Sequence, residues 1–350
     1  MKALVYRGPG KILLEDRPHP ELASPTDAIV RLTAGSICGT DLHILHGDVP
    51  TVAEGRILGH EGVGIVETVG AEVHGFQPGD RVLISLNTSC GRCDFCRRRM
   101  PSHCRQGGWI LGHCIDGTQA ELVRIPFADN GLHHLGSQVS DEAAVLLSCC
   151  FPTSFECGIL AAEVNPGDRV VIVGAGPVGL AALMACQLFS PALVALVDLD
   201  PHRLAAALSL GATHAVDSSA PDTVERLLGL TQGHGFDVAV EAAGQGATFD
   251  LCQSVLAPGG HLANVGVFGG PVSLRLERLW SENITLTTRL VDAYTTPTLL
   301  AMVDSGRLDP RRLVSHRFDF SDILLAYETF GHAAQHQAVK VTLGNFHGPG

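Results

Sequence analysis

Two short runs, C-G-T-D-L-H from Cys38 and G-H-E ending at Glu61, place a thiol and an imidazole among polar side chains that could pass a proton. Cys38 and His60, with one further protein ligand and an open fourth position, make the kind of set that holds a catalytic zinc ion. Thr40, Asp41, His43 and Glu61 stand beside them in sequence as candidates for the proton chemistry. One Cys and one His also describe a buried thiol and a core imidazole equally well. The rest of the chain has to decide between the two.

A denser cluster lies further on. Cys90, Cys93, Cys96 and Cys104, in C-G-R-C-D-F-C-R-R-R-M-P-S-H-C, can converge on one tetrahedral ion. Bacterial iron–sulfur runs use a short last gap followed by Pro, whereas here the last gap is seven residues and Arg105 comes next. Structural zinc is the expected occupant. Arg97, Arg98 and Arg99 lie inside the loop, either to offset four thiolates or as a solvated basic face. Cys149 and Cys150, in S-C-C-F-P-T-S-F, offer a third ligand for the first centre.

A different chemistry enters with R-V-V-I-V, G-A-G-P-V-G and L-A-A-L-M-A-C, which read as strand, turn and helix. Gly174 allows the tight turn, Gly176 lets the backbone approach a pyrophosphate, and Gly179 lets helix and strand pack. Pro177 and Val178 open the helix, whose free N–H groups face phosphate. A second strand ends at Asp198, 19 residues past the last glycine, where a carboxylate grips a ribose hydroxyl and repels a 2′-phosphate. NAD is therefore expected rather than NADP. Arg203 is placed to reach the adenosine ribose, and Val265 and Val267, in H-L-A-N-V-G-V, to line the cofactor site.

Two kinds of framework must position these groups. Residues 1–150 alternate short β-rich runs with Pro and Gly, as in K-A-L-V-Y, A-I-V-R-L and G-V-G-I-V-E-T-V, which indicates a twisted antiparallel sheet or barrel. Ser140 is placed to cap a helix beginning at Asp141 and running through A-A-V-L-L. Residues 151–295 alternate strands with helices, the pattern of a parallel doubly wound sheet. Residues 296–350 contain two helical stretches and the strand A-V-K-V-T-L, expected to rejoin the first domain.

The bulk numbers agree with a two-domain globular chain: 350 residues, 45% hydrophobic and 17% charged. A formal charge of −12 argues against nucleic acid or an anionic membrane as partner. The N-terminus starts as a strand and lacks the apolar core of a signal peptide, and the most apolar run, Val170–Ala185, is broken by glycines. Eleven clustered cysteines fit metal-bound thiolates in a reducing cytoplasm better than a disulfide scaffold.

With these pieces together, the chain resembles the zinc-dependent medium-chain alcohol dehydrogenases, most of all their tetrameric microbial members. The resemblance rests on C-G-T-D-L-H, G-H-E-G-V-G, the four-cysteine lobe, G-A-G-P-V-G with Asp198, and P-T-S-F-E-C-G. It implies a GroES-like barrel with an inserted Rossmann domain, two zinc ions per chain, a homotetramer and a small alcohol, aldehyde or ketone as substrate. Cys38, His60 and Cys149 match the catalytic zinc ligands, while Cys150 matches none. Glu61 matches a carboxylate beside the metal, and Asp41 the acid that orients the zinc-bound imidazole. Thr40 and His43 match the proton relay that links the alcohol, through the nicotinamide ribose, to water. Trp109, Ile110 and Leu290 are expected to line the substrate pocket. The implied activity is NAD-dependent oxidation of primary or secondary alcohols. The alternative is a polyol or 2,3-butanediol dehydrogenase in which Glu61 ligates zinc, and, more remotely, a dinucleotide-binding homologue without chemistry.

Overall fold

The structure is a computed structural model, and it describes residues 1–347. The chain forms two compact units, Met1–Pro152 with the described residues from Asp292 on, and Thr153–Val291.

The first unit is mostly β. Its strands are β1 (Lys2–Tyr6), β2 (Ile12–Asp16), β3 (Ala28–Ile37), β4 (Gly62–Val69), β5 (Arg81–Ile84), β6 (Leu122–Ile125) and β7 (Leu132–His134). The second unit carries β8 (Arg169–Val173), β9 (Leu193–Asp198), β10 (His214–Asp217), β11 (Phe236–Glu241), β12 (Leu256–Asn264) and β13 (Thr285–Thr288). The tail then adds β14 (Val314–Asp319) and β15 (Lys340–Gly344) to the first unit.

In the first unit β1 and β2 form a hairpin, and a seven-stranded sheet runs β14-β15-β3-β4-β5-β7 with β6 also on β3. The long β3 is the hub, pairing antiparallel with β4, β6 and β15. Its register against β4 shifts twice, between Ile29 and Val30 and between Leu32 and Ala34. Shifts of this kind bend a strand and re-aim the residues beyond the bend, here the segment leading to Cys38. Gly64 permits the close pairing, since a Cβ there would sit 2.2 Å from the Arg31 carbonyl oxygen. The core is built from alternate strand residues such as Leu32, Ile37, Val66, Val82 and Ile84, and from Phe320, Ile323 and Phe330 of the tail. The tail's helix Ile323–Gly331 and β15 contribute residues to this core.

The second unit is a six-stranded parallel sheet in the order β10-β9-β8-β11-β12-β13. The central β8 is apolar along its length, because a parallel strand in the middle of a doubly wound sheet is covered on both faces. The order reverses between β8 and β11, the point at which such sheets bind nucleotides outside their strand ends. Helices Pro177–Cys186, Pro201–Ser209, Thr223–Leu230 and Gly246–Val255 make the crossovers. The fold expected from the sequence, a GroES-like barrel and a Rossmann sheet, is the one observed.

One expected helix is shorter than the sequence suggests. Ser140 does cap it, its hydroxyl accepting from the Ala143 N–H, but the helix stops at Val145. A separate turn of helix holds Cys150–Thr153, and Ser154–Leu160 is wound more widely. Pro152 supplies no N–H, so a single helix cannot run through this segment without losing a bond.

Candidate metal centre and nucleotide loop

Cys38 sits at the N-terminus of the helix Gly39–His46, in extended conformation, and Asp41 reaches back to accept its backbone N–H at 2.9 Å. The C-G-T-D spacing thus closes half of a capping box and fixes the thiol at a helix N-terminus, where a thiolate is favoured. His60 and Glu61 lie immediately before β4. Gly59 adopts φ +91°, and a Cβ on it would strike Gln119 at 2.6 Å, so the G-H-E turn requires glycine. The D-G-T-Q segment packs on this turn, with the Thr118 hydroxyl donating to the Glu61 carbonyl at 2.9 Å. Ser148, next to Cys149, accepts the Gly62 N–H at 3.1 Å. These contacts bring together segments far apart in the chain.

The result is a cluster in which ligand atoms of Cys38, His60, Glu61 and Cys149 all lie within 4.8 Å of one another. Two sulfurs and a nitrogen with a nearby carboxylate form a donor set that suits tetrahedral zinc. His60 and Glu61 are buried, at 3% and 1% exposure, as is Cys149, whereas Cys38 is partly exposed. The Glu61 Oε1 and Asp41 Oδ1 atoms are buried without hydrogen-bond partners, a sign of a site whose polar groups are arranged for something further. A hydrogen bond from Cys149 holds the Cys38 thiol well below its usual range, against burial and helped by His60. The same bond and burial push Cys149 up. Burial disfavours the His60 cation, yet Cys38, then Asp41 and Glu61, outweigh it and raise the ring to about 9. A divalent ion would displace the protons that these groups share. Cys150 is buried with its thiol pushed up to about 12, chiefly by burial, as fits a small apolar residue.

The surroundings differ in detail from expectation. Asp41 Oδ1 is 3.8 Å from His60 Nδ1, an ion-pair distance but too long for a hydrogen bond. Its other oxygen is held by Cys38 and by the Gln119 amide at 3.2 Å. Burial pushes the Asp41 carboxyl up to about 7, with His60 pulling it back. Tyr327, buried on the tail helix, donates to Gln119 Oε1 at 2.8 Å, which extends the chain His60–Asp41–Gln119–Tyr327. The Thr40 hydroxyl is 3.7 Å from the Cys38 sulfur. His43, one helical turn on, pairs with Asp48 at 2.9 Å at the exposed edge. Trp109 stands edge-on to the His60 ring, centroids 6.2 Å apart, and stacks on His113. Ile110 follows it in the same unit, whereas Leu290 is a half-exposed residue of the other.

Sequence reasoning missed Lys340, Gln119, Tyr327 and Ser36. Lys340 Nζ bonds Glu61 Oε2 at 2.6 Å, and the Ser36 hydroxyl donates to the same oxygen. A signal was available for one of them: a Lys inside the apolar strand A-V-K-V-T-L is an anomaly that calls for a buried acid.

In the second cluster the sulfurs of Cys90, Cys93, Cys96 and Cys104 likewise lie within 4.8 Å of one another. Backbone N–H groups, from Cys96 and Arg105, lower the Cys93 thiol to about 6, while burial and Cys93 push Cys96 up to about 12. Arg97, Arg98 and Arg99 are all exposed, and Arg105 instead pairs with Asp94 at 2.6 Å.

In the second unit the three glycines divide their work as the motif requires. Gly174 has φ +106°, and a Cβ on Gly179 would lie 1.8 Å from the Gly174 carbonyl oxygen. A Cβ on Gly176 would meet nothing within 4 Å, leaving the open approach that a pyrophosphate needs. Pro177 opens the helix, and the Val178 carbonyl accepts the Ser154 hydroxyl at 2.8 Å. Asp198 Oδ2 accepts the Ala175 N–H at 2.6 Å, and Oδ1 accepts those of Leu199 and Asp200. The carboxylate is thereby fixed beside the loop. Arg203 lies 4.0 Å from both Asp198 and Asp200. Val265 N–H bonds the Glu241 carbonyl, and Val267 is largely exposed.

A GroES-like barrel with a Cys/His cluster, joined to a Rossmann sheet with a phosphate loop, defines a zinc-type oxidoreductase. The alcohol dehydrogenase GroES-like domain matches residues 24–135, and the zinc-binding dehydrogenase domain matches residues 177–305. An alcohol dehydrogenase of Cupriavidus necator is 34% identical, over 94% of this chain and 95% of its own. Among solved structures, the apo form of zinc-dependent alcohol dehydrogenase 2 from Streptococcus pneumonia is 49% identical over 100% of both chains, with a TM-score of 0.95. An alcohol dehydrogenase from Thermus sp. ATN1 is 34% identical, covers 98% of this chain and 99% of its own, and has a TM-score of 0.92. The chain belongs to the zinc-dependent medium-chain alcohol dehydrogenase family. All three relatives are alcohol dehydrogenases, which does not favour the polyol alternative. No helix among the described residues is long and apolar enough to cross a membrane.

Proposed function

We propose that the protein is an NAD-dependent alcohol dehydrogenase that interconverts primary or secondary alcohols with aldehydes or ketones. The observation that carries this reading is the convergence of Cys38, His60 and Cys149 in one largely buried cluster with Glu61 alongside. Zinc held by those three ligands would supply Lewis acidity to a substrate oxygen, and NAD would accept the hydride. A second zinc in the four-cysteine lobe would be structural.

The chain's own residues have separable tasks. Thr40, beside Cys38, takes the substrate proton on its hydroxyl, and His43, at the exposed edge, hands it to water. Asp48 fixes the His43 ring through Nδ1, leaving Nε2 for that exchange. Asp41 steers the far side of the His60 ring. Trp109, edge-on to His60, keeps one wall of the site apolar, with Ile110 next to it in sequence. In the second unit Gly174, Gly176 and Gly179 shape the pyrophosphate approach, while Pro177 and Val178 begin the helix that faces it. The fixed Asp198 carboxylate supports NAD over NADP, with Arg203, Val265 and Val267 around it. The family resemblance suggests a homotetramer, and the 80% exposed Trp280, Leu276 and β13, which among the described residues pairs on one side only, offer surface for self-association. The cytoplasm, whose reducing conditions suit free thiols, is the proposed location.

Metal analysis combined with NADH formation across primary, secondary and aromatic alcohols tests the reading. Two zinc ions per chain and alcohol-dependent NADH formation are expected. Cys38→Ser should retain one zinc and the fold but lose turnover about a thousandfold, the equivalent of several kcal/mol of lost charge stabilisation. Wild-type-like activity in that variant refutes the ligand assignment.

A further inference from the structure

Lys340 is a buried charge that the proposed roles leave unused. It opens β15 and is 2% exposed. Its ammonium donates to Glu61 Oε2 at 2.6 Å and to the Ile37 carbonyl at 3.0 Å. The Ser36 hydroxyl donates to the same carboxylate oxygen. Glu61 Oε1 has no partner, although Glu61 offers a ligand atom within 4.8 Å of those of Cys38, His60 and Cys149. A carboxylate so close to a metal site is a competitor for its open position.

Charge decides whether it competes. Two thiolates and a neutral imidazole around Zn²⁺ sum to zero, and Glu61 with Lys340 also sums to zero. Each group is thus neutral on its own, as buried charges require. Without the ammonium, Glu61 becomes an unpaired buried anion beside a divalent cation, and binding that cation is its route to neutrality. The Ile37 contact matters too. It anchors the ammonium to the end of β3, one residue from Cys38, so the lysine cannot follow the carboxylate toward the metal.

We propose that Lys340 is a positioning residue, a latch that holds Glu61 out of the zinc coordination sphere and so keeps the fourth position open to substrate. This rests on the reading of Cys38, His60 and Cys149 as ligands. The test is titration of the cobalt(II)-substituted protein with imidazole, a neutral ligand, followed in the visible d–d bands. An open fourth position takes up imidazole and the bands shift, whereas a carboxylate filling that position keeps the site four-coordinate and blocks the uptake. Lys340→Met should keep thiolate-to-cobalt charge transfer but bind imidazole about tenfold more weakly than the wild type. Lys340→Met combined with Glu61→Gln should bind it as the wild type does, because the competing carboxylate is gone. Wild-type affinity in Lys340→Met, or weak binding that persists in the double variant, overturns the latch. Should Lys340→Met not fold, Lys340→Gln, which also removes the ammonium, is read in the same way. Cobalt uptake by the wild type at the four-cysteine lobe alone overturns the ligand reading itself, and the latch with it.

Discussion

The two thiol clusters share an element of chemistry and almost nothing else. The four-cysteine lobe draws its ligands from one loop of fifteen residues, Cys90 to Cys104, and three of the four are partly exposed. Around it lie exposed arginines and a surface ion pair. The Cys38 cluster gathers residues from positions 38 to 149 and is surrounded by buried charge, with Asp41, Gln119, Tyr327, Glu61 and Lys340 all satisfying one another in part. A metal that only holds a loop needs ligands. One that does chemistry also needs a second layer that sets charge and orientation.

The contrast is broken most severely by removing a ligand from each. Cys38→Ser should abolish turnover with the fold intact, whereas Cys93→Ser should lower the thermal midpoint by several degrees and leave turnover measurable at low temperature. Matched activity assays and melts read both, and a Cys93→Ser protein as inactive as Cys38→Ser erases the distinction. A smaller effect is expected from the second layer. Asp41→Asn should weaken metal binding at the Cys38 site about 10–100-fold, seen by chelator competition, while the lobe keeps its metal. Tyr327→Phe leaves Gln119 Oε1 buried and unpaired, and should destabilise the barrel by about 1–3 kcal/mol in denaturant unfolding. At the other cluster, Arg105→Ala removes the exposed pair with Asp94 and should change stability by about 0–1 kcal/mol. An equal loss from the last two changes would mean that the lobe has a supporting layer of its own.

The same contrast explains how much is legible in the sequence. The lobe is a local object, so spacing alone announces it. The phosphate loop is local too: Gly174, Gly176 and Gly179 each answer a steric demand made within a few residues or by the neighbouring strand. Cys38, His60 and Cys149 are far apart in the chain, and only the family pattern joins them. Lys340, Gln119 and Tyr327 escape notice because their reason for being polar lies across the barrel from their own strand or helix. The helix after Ser140 falls short of its apolar run for a related reason. Apolar content signals burial, and periodicity over so short a run does not say where winding changes.

Because β15 pairs with β3 and carries the cation that neutralises Glu61, the surroundings of the Cys38 cluster are complete only once that distant strand is in place. The Lys340–Glu61 pair therefore closes a contact across some three hundred residues of chain, the kind of long-range pairing that forms late because its loop-closure cost comes first.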